Sequence, residues 1–397
     1  MAFRALAQCS RHGAQRSVLS RLIGSSLLDA ESPANSNITR TLQTSRSTGS
    51  SHPPAGNEMQ ESSPSNTKWQ NNAIMYEYAK ESKPCMSPIP IQAWDGKAHE
   101  EGESRVIHLD LSKDLNTEYP ATGMNQLASF VRIKTGEAFT TKATATSQVF
   151  YCIRGDGFSD TSHGKVRWAQ GDLFVVPGSE AITHHASKES TEHGGAAFYW
   201  ITDEPLCKYL GVAPTVNRFE PAHFTRDALV GAVKKLAADP DSKDKNRIGV
   251  LLGTKQARGT KTLTHVMWVL FNLLPGKTTQ KAHRHTPTAL DFAVSAPAKG
   301  VYTAMARKID KDGNLIDAVN APWKTGGAFT TPPGWWHSHV NETDEDAWVL
   351  PVQDAGLFTY QRTLDIRFVP AVLEDIKNMT IQGASFEGEK TYVNSKE

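Results

Sequence analysis

Short apolar runs separated by glycine and proline constrain the fold of this chain more than any other feature. Between about 105 and 205 these runs are Leu127–Ile133, Val149–Ile153, Leu173–Val176 and Ala196–Ile201. From about 248 the pattern returns as Thr264–Leu274, Ala289–Ser295, Val301–Ala306, Ala328–Thr331, Ala347–Val352 and Thr363–Val369. The runs are rich in β-branched and aromatic residues, which favours strands. The pattern predicts a mainly β protein with two small barrels or sandwiches.

The spacing of apolar residues changes to a helical period between the two β-rich units. Over 225–238 the apolar side chains fall on one face, Thr225 is suited to cap the first turn, and Asp239-Pro240 follows the last turn. The sequence therefore predicts a connecting helix. The charged stretch 241–247 that follows is predicted to be a surface loop.

The first 50 residues differ in charge from the rest of the chain. They contain six Arg, no Lys and two acidic residues, and several apolar residues recur at helical spacing. This composition is typical of an organelle transit peptide, with the mitochondrion favoured and the chloroplast or a cytoplasmic location as alternatives. Residues 51–68 are rich in Ser, Pro and Gly and are predicted to be a disordered linker. Residues 69–104 are predicted to form an extended arm.

Overall composition excludes several classes of function. The chain has 43 Lys+Arg against 42 Asp+Glu, which argues against a nucleic-acid-binding protein. No apolar run reaches the 18 residues of a membrane span. The four cysteines show no CxxC spacing, so neither a disulfide scaffold nor a zinc finger is expected. Exposed barrel edges and the arm favour a homo-oligomer.

Three histidines have the spacing of a metal site. His283 and His285 are two residues apart, so on a strand both side chains point to the same face, which inside a barrel is the cavity. His337 follows a Pro-Pro-Gly turn and is placed to complete a facial triad. Such a triad leaves coordination positions open for a substrate and O₂. Imidazole suits Fe, Zn, Ni or Mn, so the ligands do not identify the metal.

This spacing resembles the cupin superfamily, whose motifs are G-x5-H-x-H-x3,4-E-x6-G and G-x5-P-x-G-x2-H-x3-N. The corresponding residues are Gly276, His283 and His285 in the first motif, with one residue more than the pattern between Gly276 and His283. In the second motif they are Gly327, Pro333, His337 and Asn341, with Pro333 and Gly334 one residue closer together than in the pattern. The Glu ligand is missing. That loss, together with HRHT and TPPGWWHSH, resembles the gentisate 1,2-dioxygenase branch. The resemblance implies RmlC-like jelly-roll barrels and Fe(II) held by three histidines.

Two departures from the branch are visible. In gentisate dioxygenases the HRHT barrel is usually the N-terminal one, and Arg commonly stands where this chain has Asp291. The cupin template places Lys142 and Thr144 at the two histidine positions of the first barrel, which is therefore expected to be metal-free. The predicted segments are a degenerate cupin at 105–212, a helical linker at 213–247, a metal-binding cupin at 248–370 and an extension at 371–397.

Asp291 and His339 are the candidate catalytic residues beside the triad. Asp291 is predicted to be a fourth ligand, a base or orienting group, or an outward-facing charge. His339, two residues after His337, is a candidate for contact with metal or substrate. His184 and His185 are expected at the mouth of the first barrel, and His265 is expected to be a core residue.

The leading hypothesis is an Fe(II) dioxygenase acting on a small, hydroxylated and possibly aromatic substrate with O₂. One alternative is a cupin lyase, isomerase or hydrolase that uses Zn, Mn or Ni as a Lewis acid. Another is a non-catalytic cupin that binds a small ligand.

Overall fold

A computed structural model of the chain describes residues 67–82, 86–188, 194–240 and 247–369. It divides into a short unit that ends at Met86 and a large unit that starts at Ser87. The short unit contains helices α1 (Thr67–Asn71) and α2 (Tyr78–Glu81), and its large apolar side chains are exposed. The predicted transit peptide, nearly all of the predicted linker and the predicted C-terminal extension lie outside the described residues. In the ranges that the structure describes, no helix is long and apolar enough to cross a membrane.

The first half of the large unit is a barrel of two antiparallel sheets. Its strands, after β1 (Ala93–Trp94), are β2 (Arg105–His108), β3 (Leu127–Ile133), β4 (Ala138–Lys142), β5 (Ser147–Arg154), β6 (Asp156–Thr161), β7 (Gly164–Ala169), β8 (Leu173–Pro177), β9 (Ala181–Ala186), β10 (Ala196–Thr202) and β11 (Ala222–Phe224). Helices α3 (Ser112–Leu115) and α4 (Glu204–Leu210) lie between them. One sheet has the order β11-β8-β5-β10-β3-β2 and the other β4-β9-β6-β7. Aromatic side chains, among them Phe150 and Phe198, fill the space between the sheets.

The second barrel follows α5 (Arg226–Ala237) and repeats this plan. Its strands are β12 (Ile248–Leu252), β13 (Trp268–Leu274), β14 (Thr278–Thr279), β15 (His283–His285), β16 (Ala289–Ser295), β17 (Val301–Ala306), β18 (Lys308–Ile309), β19 (Leu315–Ile316), β20 (Val319–Pro322), β21 (Ala328–Thr331), β22 (Trp336–Asn341), β23 (Ala347–Gln353) and β24 (Ile366–Phe368), with α6 (Ala355–Gln361) before β24. One sheet has the order β1-β21-β16-β23-β13-β12. The facing sheet has the order β20-β17-β22-β15-β24, with β14 also paired to β22.

The two six-stranded sheets pack against each other through a shared apolar core. Tyr199 of β10 stacks on Phe292 of β16, with ring centroids 4.8 Å apart. The connecting helix α5 is confirmed: Thr225 accepts a hydrogen bond from the backbone N–H of Ala228, and Leu229 and Val233 pack into the shared core. Strands buried on both faces explain the continuous apolar runs in the sequence. The predicted fold, mainly β with cupin-type barrels, is confirmed.

The second barrel differs from the sequence predictions at three points. The strand predicted from Thr264 begins at Trp268, because the Thr264 hydroxyl accepts hydrogen bonds from the backbone N–H groups of Val266 and Met267 and closes a turn. His265 lies in this turn and is exposed, so the prediction that it is a core residue is wrong. Helix α6 occupies the residues before β24, where the sequence predicts no helix.

Helices α4 and α6 occupy equivalent places and end in the same left-handed conformation. After α4 this position is Gly211, with φ +64°, whereas after α6 it is Arg362, with φ +62°. A residue with a Cβ is strained there by about 1–2 kcal/mol. We therefore expect Arg362→Gly to raise the free energy of unfolding by about 0.5–1 kcal/mol, measured by urea denaturation. Gly211→Ala is the matched control and should lower it; a less stable Arg362→Gly protein would contradict the strain argument.

Candidate metal centre

Strand register brings the three predicted histidines together in the second barrel. On β15, His283 and His285 point to one face and Arg284 to the other. His283 pairs directly with His337 of β22. The ring centroids of His337 lie 3.9 Å from that of His283 and 4.8 Å from that of His285. Each ring offers a nitrogen within 4.8 Å of the others, and all three side chains are buried.

A tight turn holds β22 beside β15. Gly334, with φ +72°, follows Pro332-Pro333, and its backbone N–H donates to the carbonyl of His285 over 2.8 Å. Proline has no N–H and a fixed φ, and glycine adopts positive φ without strain. The Pro-Pro-Gly turn thus sets the position of His337 relative to His285.

Hydrogen bonds to backbone carbonyls place the proton on two of the imidazoles. His285 Nδ1 lies 2.8 Å from the carbonyl oxygen of Pro287, and His337 Nδ1 lies 3.0 Å from that of Trp335. A carbonyl only accepts, so both Nδ1 atoms donate, and in the neutral ring Nε2 keeps a lone pair. His285 Nε2 is buried and has no hydrogen-bond partner in the described part of the chain. These donors suit a divalent transition metal, with the carbonyls orienting the rings.

Burial keeps the three rings neutral. It lowers the pKa of His285 to about 4, and it lowers the pKa values of His283 and His337 well below the usual value. The neighbouring histidines and the positive charge of Arg247 contribute in the same direction. Neutral imidazole is the form that binds metal.

Arg247 is a residue of this site that the sequence did not indicate. It falls in the predicted surface loop, but its Nη2 contacts His283 Nδ1 and its guanidinium lies 5.3 Å from the ring of Phe368. Its Nη1 is buried, and no described residue forms a hydrogen bond with it. Because Nη2 donates to Nδ1, the His283 proton lies on Nε2. His283 can ligate through Nε2 only when this contact opens and the proton moves to Nδ1.

Asp291 lies on β16, in the sheet that faces the histidines across the barrel. Its neighbours Leu290 and Phe292 belong to the shared core, so Asp291 points into the barrel. It is 2% exposed, which rules out the outward-facing charge. Its Oδ2 accepts a 2.6 Å hydrogen bond from Thr331. Among the described residues, the three histidines form the only cluster close enough to share a metal, and Asp291 is outside it.

The charge state of Asp291 should make stability depend on pH. Burial raises its pKa to about 7, from 3.8. The folded state binds the Asp291 proton more tightly than the unfolded state, so protonation of Asp291 adds to the free energy of unfolding. This contribution is complete below about pH 3.8 and is lost as pH rises toward 7. We expect Asp291→Asn to remove up to about 1.4 kcal/mol per pH unit of that decline in EDTA-treated protein. Urea titrations at pH 4.5, 5.5 and 6.5 measure this, and parallel pH slopes for both proteins would contradict it.

His339 belongs to a hydrogen-bond network that both barrels contain. The Thr303 hydroxyl accepts from Trp323 Nε1 and lies 2.8 Å from His339 Nδ1. In the first barrel the network is formed by Trp168, Ser159 and His184, with distances of 2.8 and 2.7 Å. His184 is therefore buried in the core, and the prediction that it lies at the barrel mouth is wrong. The repeat gives His339 a structural role, and its catalytic role stays a prediction.

Removing the hydroxyl of either network should destabilise the protein without removing metal. Thr303→Val and Ser159→Ala each leave a buried Trp N–H and His nitrogen unpartnered, at a cost of about 1–3 kcal/mol. Urea denaturation and iron content measure the two effects. Loss of iron from Thr303→Val at unchanged stability would instead place His339 at the metal.

The two networks also align the barrels residue by residue. Ser159 is opposite His184 and Thr303 is opposite His339. In this alignment Thr141, opposite Ile182, corresponds to His283, opposite His337.

The prediction that Lys142 and Thr144 occupy the histidine positions is therefore wrong by one residue. Lys142 is exposed, and the buried equivalents are Thr141 and Ala143. The shift arises from a local bulge in the second barrel. The residues paired with His339 and with His337 have one more residue between them than the equivalent residues of the first barrel have. Neither Thr141 nor Ala143 offers an imidazole, and His185 pairs with Asp160 over 3.1 Å on the barrel surface.

Comparison with known proteins identifies relatives of this architecture. No family model matches the chain. It is 33% identical over 88 residues to gentisate 1,2-dioxygenase of a Ralstonia species, which covers 22% of this chain and 21% of the relative. It is 27% identical over 169 residues to gentisate 1,2-dioxygenase 1 of Aquipseudomonas alcaligenes, 42% of each chain. The matches thus span less than half of these curated relatives.

Solved structures match over a longer range. Salicylate 1,2-dioxygenase of Pseudaminobacter salicylatoxidans superposes with a TM-score of 0.58 at 12% identity, covering 79% of this chain and 99% of that chain. A mutant of the same enzyme in complex with gentisate gives a TM-score of 0.57 at 12% identity, covering 79% and 98%. The chain shares the fold of these dioxygenases.

Proposed function

We propose that this protein is a mononuclear non-haem Fe(II) dioxygenase that cleaves the ring of a small hydroxylated aromatic substrate. The observation that carries the proposal is the cluster of three buried, neutral imidazoles, in which His285 Nε2 has no partner among the described residues. The similarity to gentisate and salicylate 1,2-dioxygenases supports the reaction class. Bound iron would supply adjacent positions for substrate oxygens and O₂ and a path for electrons between them.

The protein's own part is to hold the metal ligands in place, to orient their rings and to exclude water from the site. The carbonyls of Pro287 and Trp335 fix the rings of His285 and His337, and burial of the cluster keeps bulk water from the reacting groups. Ring cleavage with both oxygen atoms retained oxidises the substrate by four electrons, which reduce O₂. The reaction therefore needs no external reductant.

The position of Arg247 supports the proposal that the substrate carries a carboxylate. Its buried Nη1 has no partner within the described ranges, and an unpaired buried cation is costly. A carboxylate accepts two parallel hydrogen bonds from guanidinium. Binding of the carboxylate to Arg247 would also draw the guanidinium from His283 and free that ring for the proton shift described above.

The test of this proposal compares turnover with different metals, in air and under argon. Purified protein loaded in turn with Fe(II), Mn, Ni and Zn is offered a panel of hydroxylated aromatic acids, and oxygen uptake and ring absorbance are followed. We expect loss of the aromatic absorbance with Fe(II) in air and no reaction under argon. Turnover under argon with a non-iron metal would favour the lyase, isomerase or hydrolase alternative.

A further inference from the structure

A chain of hydrogen bonds connects a buried carboxylate to His285 of the candidate metal centre. Oδ1 of Asp354, which is 2% exposed, accepts from the backbone N–H of Thr288 over 2.9 Å. The peptide group that contains this N–H also contains the carbonyl of Pro287, which accepts from His285 Nδ1 over 2.8 Å. We call the chain from Asp354 through the Pro287–Thr288 peptide group to His285 the carboxylate relay.

The carboxylate relay should make the imidazole of His285 a stronger metal ligand. Resonance couples the N–H and the C=O of a peptide group, so a negative charge at the N–H increases the negative charge on the carbonyl oxygen. That oxygen then draws the Nδ1 proton of His285 more strongly, which raises the basicity of Nε2. Metal-binding histidines often donate directly to a carboxylate, and here one peptide group lies between the two.

The first barrel also contacts the carboxylate relay. Asn125, in the loop before β3, donates from Nδ2 to Oδ2 of Asp354 over 2.6 Å. Asp354 thus receives one hydrogen bond from each barrel, and its pKa, raised by burial to about 6, leaves it ionised at about pH 8. A Cβ on Gly123 of the same loop would lie 3.2 Å from the methyl carbon of Thr288, so glycine here permits the close approach of the loop.

The first barrel has the equivalent carboxylate but no imidazole at the end of the chain. Asp203 follows β10 as Asp354 follows β23, and its Oδ1 accepts from the backbone N–H of Ser147 over 3.0 Å. The carbonyl of that peptide group belongs to Thr146 and accepts from the backbone N–H of Gly178 over 2.9 Å. An aspartate at this point therefore belongs to the fold of both barrels, and in the second barrel it is also coupled to a candidate ligand.

We propose that Asp354 is a positioning residue of the metal centre, which orients and polarises His285 through the Pro287–Thr288 peptide group and is itself held by Asn125 of the first barrel. This rests on the part of the proposed function that assigns a metal to the three histidines. The metal-free barrel then contributes to the metal centre without providing a ligand. Loss of a group that orients a metal ligand costs about 10–100-fold in metal affinity.

Binding of Co(II) tests the carboxylate relay without turnover. The full chain is treated with EDTA, desalted and titrated with Co(II) under argon at about pH 8, where Asp354 is ionised. The dissociation constant and the visible d–d bands are recorded. Asp354→Asn removes the charge and keeps the shape, so we expect Co(II) to bind at least about 10-fold more weakly, with shifted bands.

A second variant and a matched control separate this effect from a loss of folding. Asn125→Leu leaves Asp354 in place but removes a donor that favours its ionised form, and should weaken Co(II) binding at least about threefold. Asp203→Asn removes the equivalent carboxylate of the first barrel. It should lower the urea midpoint about as much as Asp354→Asn does and leave Co(II) affinity within about twofold of wild type.

Two results would overturn the inference. One is wild-type Co(II) affinity and bands in Asp354→Asn or, if that variant does not fold, in Asn125→Leu. The other is an equal loss of Co(II) affinity in Asp203→Asn.

Oxygen uptake by the iron-loaded proteins separates this inference from the proposed function. Weaker Co(II) binding in Asp354→Asn, in a protein whose wild type takes up no oxygen with any substrate of the panel, would support the carboxylate relay and overturn the dioxygenase proposal. Oxygen uptake by the wild type together with unchanged Co(II) binding in Asp354→Asn does the reverse. A wild-type protein that binds no Co(II) would overturn the metal centre and the relay together.

Discussion

Replacing His285 by alanine will remove iron from the protein and with it oxygen consumption. His285 is buried, its ring is fixed by the Pro287 carbonyl, and its Nε2 has no hydrogen-bond partner among the residues that the structure describes. Loss of a group that merely orients a ligand costs about 10–100-fold in metal affinity, so loss of the ligand itself should cost more than about 100-fold. Iron content after anaerobic loading and desalting measures this directly.

The first barrel supplies the control for this experiment. His185→Ala removes a half-buried imidazole paired with Asp160, far from the cluster in the fold, and should leave iron at one equivalent. Full iron in His285→Ala, or loss of iron in His185→Ala, would contradict the assignment of the site to the second barrel.

Replacing Arg247 by alanine will raise KM for carboxylate substrates while the protein keeps its iron. Truncating one partner of a buried, hydrogen-bonded charge pair costs about 2–5 kcal/mol, so kcat/KM should fall at least about 30-fold. Iron should be retained because removing the guanidinium frees His283 Nδ1. Arg247→Lys should recover part of the loss, since it restores the charge without the paired donors.

A stacked surface arginine provides the comparison. Arg307 is exposed, and its guanidinium lies 5.0 Å from the ring of Trp335, outside the histidine cluster. Arg307→Ala should leave kcat/KM within about twofold of wild type. Equal losses in both variants, or lost iron in Arg247→Ala, would show that Arg247 acts on the metal ligands and not on the substrate.

The strands and the metal ligands were predictable because their signals are local. Leu127–Ile133, Ala289–Ser295 and Val301–Ala306 form strands with the predicted bounds, since both of their faces are buried. The spacing of His283 and His285 places both on one face of any strand. The turn at Thr264 was not predictable from apolar content, because a side-chain hydrogen bond decides it.

Arg247 and the register of the first barrel depend on long-range pairing. Arg247 lies 36 residues before His283, and nothing in its charged neighbourhood distinguishes it from a surface residue. The displacement of Lys142 by one position follows from a bulge in the second barrel, which a template of fixed spacing does not contain. The burial of Asp291 follows from the position of β16 between β21 and β23, which is also a long-range pairing.

The stoichiometry of oxygen and substrate distinguishes a dioxygenase from the alternative enzymes. Iron-loaded protein is mixed with a limiting amount of its best aromatic substrate in a closed oxygen-electrode cell, and the remaining substrate is measured by chromatography. We expect one O₂ to be consumed per substrate molecule lost, without added reductant, and no loss of substrate under argon. Substrate loss without oxygen consumption, or a requirement for an external electron donor, would contradict it.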